Sequence, residues 1–143
     1  MILLDTNVLS ALMRDPADAA VVAWLDRQVS DEVWTSAVNV FEIRFGLSRL
    51  PDGRRRRALE EAFEGLLRDD LAGRVAVLDA VAAVEAGHLA ARRELAGSVV
   101  DMRDTLIGGI ALARRATVAT RNVRHFADLP TGVVDPWVGA PHP

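Results

Sequence analysis

Short unbroken apolar runs alternate along this chain with longer stretches that repeat every three to four residues, and that alternation predicts the elements. Ile2–Leu4 is a continuous apolar run closed by Asp5, the pattern of a strand buried on both faces in a parallel sheet. Thr6 and Asn7 cap a helix running through about Met13. Asp15-Pro16 then resets the chain before a second helix over 18–28, which carries Val21, Val22, Trp24 and Leu25. Val33–Ser36 predicts a second strand, and a helix follows from Ala37 to about Leu50, where Pro51-Asp52-Gly53 stops it. A long amphipathic helix is predicted over 54–71, a third strand over 74–78, and an Ala-rich helix over Ala80–Leu95, closed at Gly97. One more helix runs from about Met102 to Arg115, with a fourth strand over 117–120 and a fifth at 132–134. Strands separated by helices predict an α/β fold, a mostly parallel sheet of four to five strands sandwiched by helices. No internal repeat or low-complexity linker divides the chain. A single domain over 1–137 is expected, followed by a flexible tail over 138–143, which holds two Pro and one Gly.

Composition narrows the chemistry. The length of 143 residues, half of them apolar, suits one hydrophobic core. The 17 basic against 20 acidic side chains leave a net charge of -3, so the chain lacks a global positive field and any nucleic acid is met locally. Every basic residue is Arg and Lys is absent, which excludes P-loop phosphate binding, Schiff-base chemistry and phosphoryl sites built on Lys. The absence of Cys excludes thiolate nucleophiles, Cys-based zinc sites and disulfides. The start has neither the basic region nor the apolar stretch of a signal peptide, and Asp79 and Glu85 interrupt the apolar middle well short of the ~18 residues of a membrane span. A cytoplasmic protein beginning at Met1, with no membrane partner, is expected.

Ligands of an open α/β sheet sit beyond the carboxyl ends of its strands. Those ends are Asp5, Ser36, Asp79 and Arg121-Asn122. Glu42 lies one helical turn from Val38, Phe45 and Gly46, so its carboxylate is expected on an inward-packing face, where an acid is costly unless paired or bound to a metal. Asp104 begins a helix whose Gly108 and Gly109 permit close approach of another backbone. Taken singly, each has a structural reading: Asp5 as a helix cap, Asp101 capping toward Asp104, Glu42 paired with Arg44, Arg49 or another Arg, and Asn122 as a turn residue. Together, Asp5, Glu42 and Asp104 come from three distant segments to one sheet edge, with no Lys to neutralise them. His88, His125 and His142 are not spaced as a metal cluster, so the natural partner is a hard divalent cation, Mg²⁺ or Mn²⁺, that activates water and offsets phosphate charge. Arg121, Arg124 and His125 stand beside that edge and suit phosphate contact, whereas Arg54–Arg57 reads as a solvated face paired with Glu60, Glu61 and Glu64. Trp24, Phe41 and Phe45 are expected in the core or a groove rather than as stacking platforms.

Four fragments in order resemble the PIN-domain ribonucleases, and within them the VapC toxins of VapBC toxin–antitoxin pairs. They are Leu4-Asp5-Thr6-Asn7-Val8-Leu9-Ser10, Phe41-Glu42-Ile43-Arg44-Phe45-Gly46, the stretch Arg103-Asp104-Thr105-Leu106-Ile107-Gly108-Gly109-Ile110-Ala111, and Ala119-Thr120-Arg121-Asn122-Val123-Arg124-His125-Phe126. The closing Val133-Val134-Asp135-Pro136-Trp137 is similar to the FitB-type branch. The resemblance implies a PIN-like fold and a Mg²⁺-dependent endoribonuclease toxin in which Asp5, Glu42 and Asp104 form the catalytic, metal-binding acidic site. It also implies a cognate VapB-type antitoxin, a toxin homodimer, and higher toxin–antitoxin assemblies. Val21, Trp24, Leu25, Phe41 and Phe63 would line the antitoxin groove or serve ordinary core packing. Asn122 departs from the pattern, since many relatives place a fourth acid there. A neutral amide is a poorer Mg²⁺ ligand, so one ion rather than two is expected. The alternative is a non-catalytic PIN-like module that only binds a partner protein; a phosphatase-like site lacks a second acid two positions after Asp5 and any Lys.

Overall fold

A computed structural model describes residues 1–138. Five strands form one all-parallel sheet in the order β3-β2-β1-β4-β5: β1 (Ile2–Leu4), β2 (Val33–Ser36), β3 (Val75–Ala76), β4 (Thr117–Ala119) and β5 (Val133–Val134). Six α-helices connect or flank them: α1 (Thr6–Met13), α2 (Ala19–Asp26), α3 (Ala37–Ser48), α4 (Arg54–Gly65), α5 (Ala80–Leu95) and α6 (Met102–Arg114). The expected α/β architecture is therefore present in its five-strand form. β1 lies at the centre, with Ile2 opposite Val33 on one side and Thr117 on the other, so the first strand pairs with segments that are far away in sequence.

Successive β1 side chains point to opposite faces and so divide the core in two. Leu4 joins Val8, Leu9, Val21, Trp24 and Phe63, while Leu3 joins Leu89, Ile107, Ile110, Val118 and Phe126. Between α5 and α6, Gly109 is the contact point: a Cβ there would lie 2.5 Å from the Ala86 Cβ and 2.6 Å from the Ala82 carbonyl oxygen. That is the close backbone approach expected of the glycine pair.

The boundaries differ from the expected ones for local reasons. The second helix is shorter than 18–28 because Asp18 is its N-cap and Arg27 its C-cap. The third ends at Ser48, with Arg49 as its cap. The helix expected over 54–71 stops being α-helical at Gly65 and continues as a π-helical turn, Leu66–Asp70, which buries both Leu66 and Leu71. β3 keeps only Val75–Ala76 because pairing ends where Ser36 meets Ala76 and α3 begins; Val77 and Leu78 are exposed. α6 ends at Arg114 because Arg115 turns left-handed, with φ 55°. Val21, Trp24 and Phe63 are core residues and do not line a surface groove, and Leu25 packs against the same cluster. Phe41 and Phe45, by contrast, are 55% and 43% exposed, so of the two placements expected for them, core or groove, the core is ruled out. The inner stripe of α3 is Val38, Asn39, Ile43 and Leu47, which leaves Phe45 and Gly46 outside. The tail expected over 138–143 falls, from residue 139 onward, outside the described residues. Among the described residues no helix is long and apolar enough to cross a membrane.

Candidate active site

The parallel sheet delivers the carboxyl ends of β1, β2 and β4 side by side, and a polar network occupies that edge. Asp5, 6% exposed, caps α1 and is tied to α3 and to the residue that follows β4. Its Oδ1 accepts from the Thr6 backbone N–H at 2.8 Å and from the Asn39 side-chain amide at 2.9 Å, and its Oδ2 accepts from the Thr120 hydroxyl at 2.7 Å. Asn39 is fully buried one turn before Glu42 on α3; its amide also reaches the Thr6 hydroxyl, and its Oδ1 accepts from Ser36 Oγ at 2.5 Å. Thr120 accepts in turn from the Asn7 amide at 3.1 Å and from the Asn122 backbone N–H at 3.0 Å. A buried carboxylate satisfied by three donors is held in one orientation without a cationic partner.

Glu42 and Asp104 face the same cleft, about 400 Å³, which is also lined by Asp5, Arg121, Asn122 and Trp137. Glu42 sits half-buried over the sheet edge. Its Oε1 accepts from the Thr6 hydroxyl at 3.1 Å, and its Oε2 lies 3.6 Å from Arg103, so its Arg partner is neither Arg44 nor Arg49. Burial pushes its carboxyl pKa up, and the Asp5 and Asp104 charges add to the rise against the pull of Thr6 and Arg103. Asp104 is raised as well, first by burial and then by Asp101, with His125 opposing. Its Oδ2 lies 2.7 Å from His125 Nδ1. Asp101 serves as the α6 N-cap, accepting from the Asp104 N–H at 2.9 Å, as its spacing suggests.

The remaining expected residues divide. Arg121 reaches the cleft with its guanidinium 4.1 Å from the Trp137 ring centroid, and Asn122 lines the same wall. His125 engages Asp104 directly. Arg124 lies outside the cleft, in a neighbouring hollow of about 480 Å³ that it shares with Asp104 and His125. The Arg54–Arg57 run is a salt-bridged face, with Arg56 on the expected Glu60 at 2.7 Å, while Arg57 turns to Asp52 at 3.9 Å rather than to Glu60 or Glu61. Arg44 takes Glu64.

A divalent cation suits this edge in kind. The donors are carboxylate oxygens, two of the carboxyls have pKa values raised by burial and, after it, by neighbouring carboxylates, and Asp5 is already oriented. As they stand, no three His, Asp or Glu side chains among the described residues are grouped closely enough to hold one ion together. Asp104 is engaged by His125, and Glu42 by Thr6 and Arg103.

With this geometry in view, residues 2–131 match the family model described as PIN domain. The chain belongs to the PIN-domain family. Over 137 residues this PIN domain is 38% identical to VapC ribonuclease Y4jK of Sinorhizobium fredii, covering 96% of this chain and 98% of that one. It is 34% identical to Toxin FitB of Neisseria gonorrhoeae, covering 96% and 99%. Among solved structures, FitAB bound to the IR36 DNA fragment superposes with a TM-score of 0.87 at 33% identity, over 99% of both chains. FitAcB from Neisseria gonorrhoeae gives 0.85 at 34% identity, over 96% of this chain and 99% of that one. The PIN domain's supporting residues Thr6, Asn39, Thr120 and Arg103 were not singled out by the sequence analysis for these roles. Asn39 carried a usable signal, since a polar residue on an apolar helical stripe one turn before Glu42 needs a partner.

Proposed function

We propose that this PIN domain is the toxin of a toxin–antitoxin pair, a metal-dependent endoribonuclease that hydrolyses RNA phosphodiester bonds in the cleft between Asp5, Glu42 and Asp104. The observation that carries the reading is the convergence of those three carboxylates, from the end of β1, from α3 and from the start of α6, on one sheet edge. Asp5, Glu42 and Asp104 would hold the ion, with Asn122 offering a carbonyl oxygen. Mg²⁺, or Mn²⁺ in its place, supplies acidification of water and neutralisation of phosphate charge when bound.

The chain's own residues do the rest. Thr120, Asn39 and the Thr6 N–H fix the Asp5 oxygens so that no reorganisation is required when charge arrives. Arg121, braced against Trp137, presents donors in the cleft, and His125 stands in the adjoining hollow against Asp104, so that phosphate oxygens of a single strand would pass between them. Arg124, in the adjoining hollow, extends the phosphate track. The likeness to FitB over nearly the full length supports an antitoxin partner, and a homodimer is carried over from the VapC resemblance alone.

The test is cleavage of total bacterial RNA by purified protein freed of antitoxin, with Mg²⁺ or EDTA, beside Asp104→Asn prepared identically. Discrete bands from the wild type with Mg²⁺ only, and activity at least roughly a hundredfold lower in the variant, are expected. Equal cutting in both lanes, or none in either with Mn²⁺ added and the fold confirmed, would transfer the protein to the class of partner-binding modules.

A further inference from the structure

Arg93 has no part in the cleft, lining instead the neighbouring hollow, yet it is bound to the elements that carry Asp104, which lines both, and His125, which contacts Asp104. It lies near the end of α5 and is 7% exposed, an unusual place for a guanidinium, with all its bonds directed at one neighbourhood. Nε and Nη2 grip Asp128 in a two-point pair at 2.8 and 2.9 Å. Nη2 also donates to the carbonyl oxygen of His125 at 2.9 Å, and Nη1 donates to Thr105 Oγ1 at 3.2 Å. Thr105 follows Asp104 directly, and its hydroxyl donates to the Asp101 carbonyl at 2.6 Å. One planar side chain thus holds the backbone of His125 on one side and the first turn of α6 on the other. Between those two anchors lies the 2.7 Å contact of His125 Nδ1 with Asp104 Oδ2.

We propose that Arg93 is a positioning residue for the active site: its fork, locked by Asp128, sets the distance between the turn Val123–His125 and the start of α6, and so fixes the Asp104–His125 pair. A general stabilising ion pair needs only charge at this position. The four acceptors here belong to three residues on two segments, and only a planar group with several fixed N–H directions meets them together. Lys would keep the charge and lose the geometry. Asp128 is about half exposed, so removing Arg93 leaves its carboxylate in water rather than stranded in the core.

The inference rests on the ribonuclease reading only in its kinetic arm. The other arm is structural: the ¹⁵N and ¹H resonances of the His125 ring in metal-free protein, identified by their loss in His125→Gln, with Asp104→Asn marking the ring released from its carboxylate. Arg93→Met and Asp128→Asn are expected to move the His125 signals toward that released position, with Arg93→Lys failing to restore them. In RNA cleavage kcat is expected to fall at least about tenfold with KM changed less than about twofold, the signature of a misplaced catalytic group. A folded Arg93→Met whose His125 signals stay at the wild-type position overturns the proposal. If that variant does not fold, unchanged signals in Asp128→Asn overturn it equally. Released His125 signals in a protein whose wild type cuts no RNA would sustain the positioning role and remove the ribonuclease reading instead.

Discussion

Asp5 and Glu42 occupy one cleft under opposite conditions. Asp5 is satisfied by three donors, whereas Glu42 meets a hydroxyl, a distant guanidinium and two like charges. A carboxyl whose pKa is raised by folding binds its proton more tightly in the native state than in the unfolded chain, so stability falls as pH rises through and above the ordinary carboxylate range. Glu42→Gln keeps an acceptor for Thr6 and removes the charge. In metal-free protein it is expected to raise Tm at pH 7 by about 3 °C and to flatten the decline in stability from pH 4 to 7. Parallel pH curves for variant and wild type would contradict this account. The three acids were legible in the sequence because each marks a strand end or a helix position. Thr120, Arg103 and Arg93 were not, because their roles come from partners brought in by the tertiary fold: Thr120 meets Asp5 from 115 residues away.

At the scale of elements, α5 and α6 depend on missing atoms. The Cβ that any other residue would place at Gly109 collides with the Ala82 carbonyl and the Ala86 backbone nitrogen, neither of which moves without shifting α5. Gly109→Ala is therefore expected to cost about 3 kcal/mol, measured by denaturant unfolding. Gly46 on α3 has nothing within 4 Å of its added Cβ, so Gly46→Ala is expected to gain up to about 1 kcal/mol from helix propensity alone. Similar effects at both positions would mean the interhelix contact is looser than drawn. Element type and order were readable from periodicity, as was the close approach at the glycine pair. The π-helical turn at Leu66–Asp70 and the two-residue β3 were not. Periodicity marks which side chains turn inward, while the exact backbone path there is set by how α4 meets the core and by where β2 stops pairing.

Across the whole molecule, a net charge of -3 coexists with a local concentration of carboxylates at one sheet edge. If those carboxylates receive a cation, binding couples to global stability. Mg²⁺ at 100 times its Kd is expected to add about 2.7 kcal/mol, visible as a rise in Tm that Asp104→Asn abolishes. A Tm indifferent to Mg²⁺ in the wild type would argue against a resident ion. The net charge and the arginine-only basic set were plain in the sequence, whereas the exposed Phe41 and Phe45 were not, because the turn of α3 relative to the sheet decides which of its apolar residues lie inside.

The position of β1 at the centre of the sheet also bears on synthesis. Its partner β4 and the Thr120 hydroxyl that anchors Asp5 are made only after most of the chain has left the ribosome. A nascent chain halted after Asp104 but before residue 117 already contains Asp5, Glu42 and Asp104, yet lacks the β1–β4 pair on which to assemble them. Interrupted translation therefore releases fragments without a working site, and any safeguard the cell keeps against this protein has to engage only finished copies.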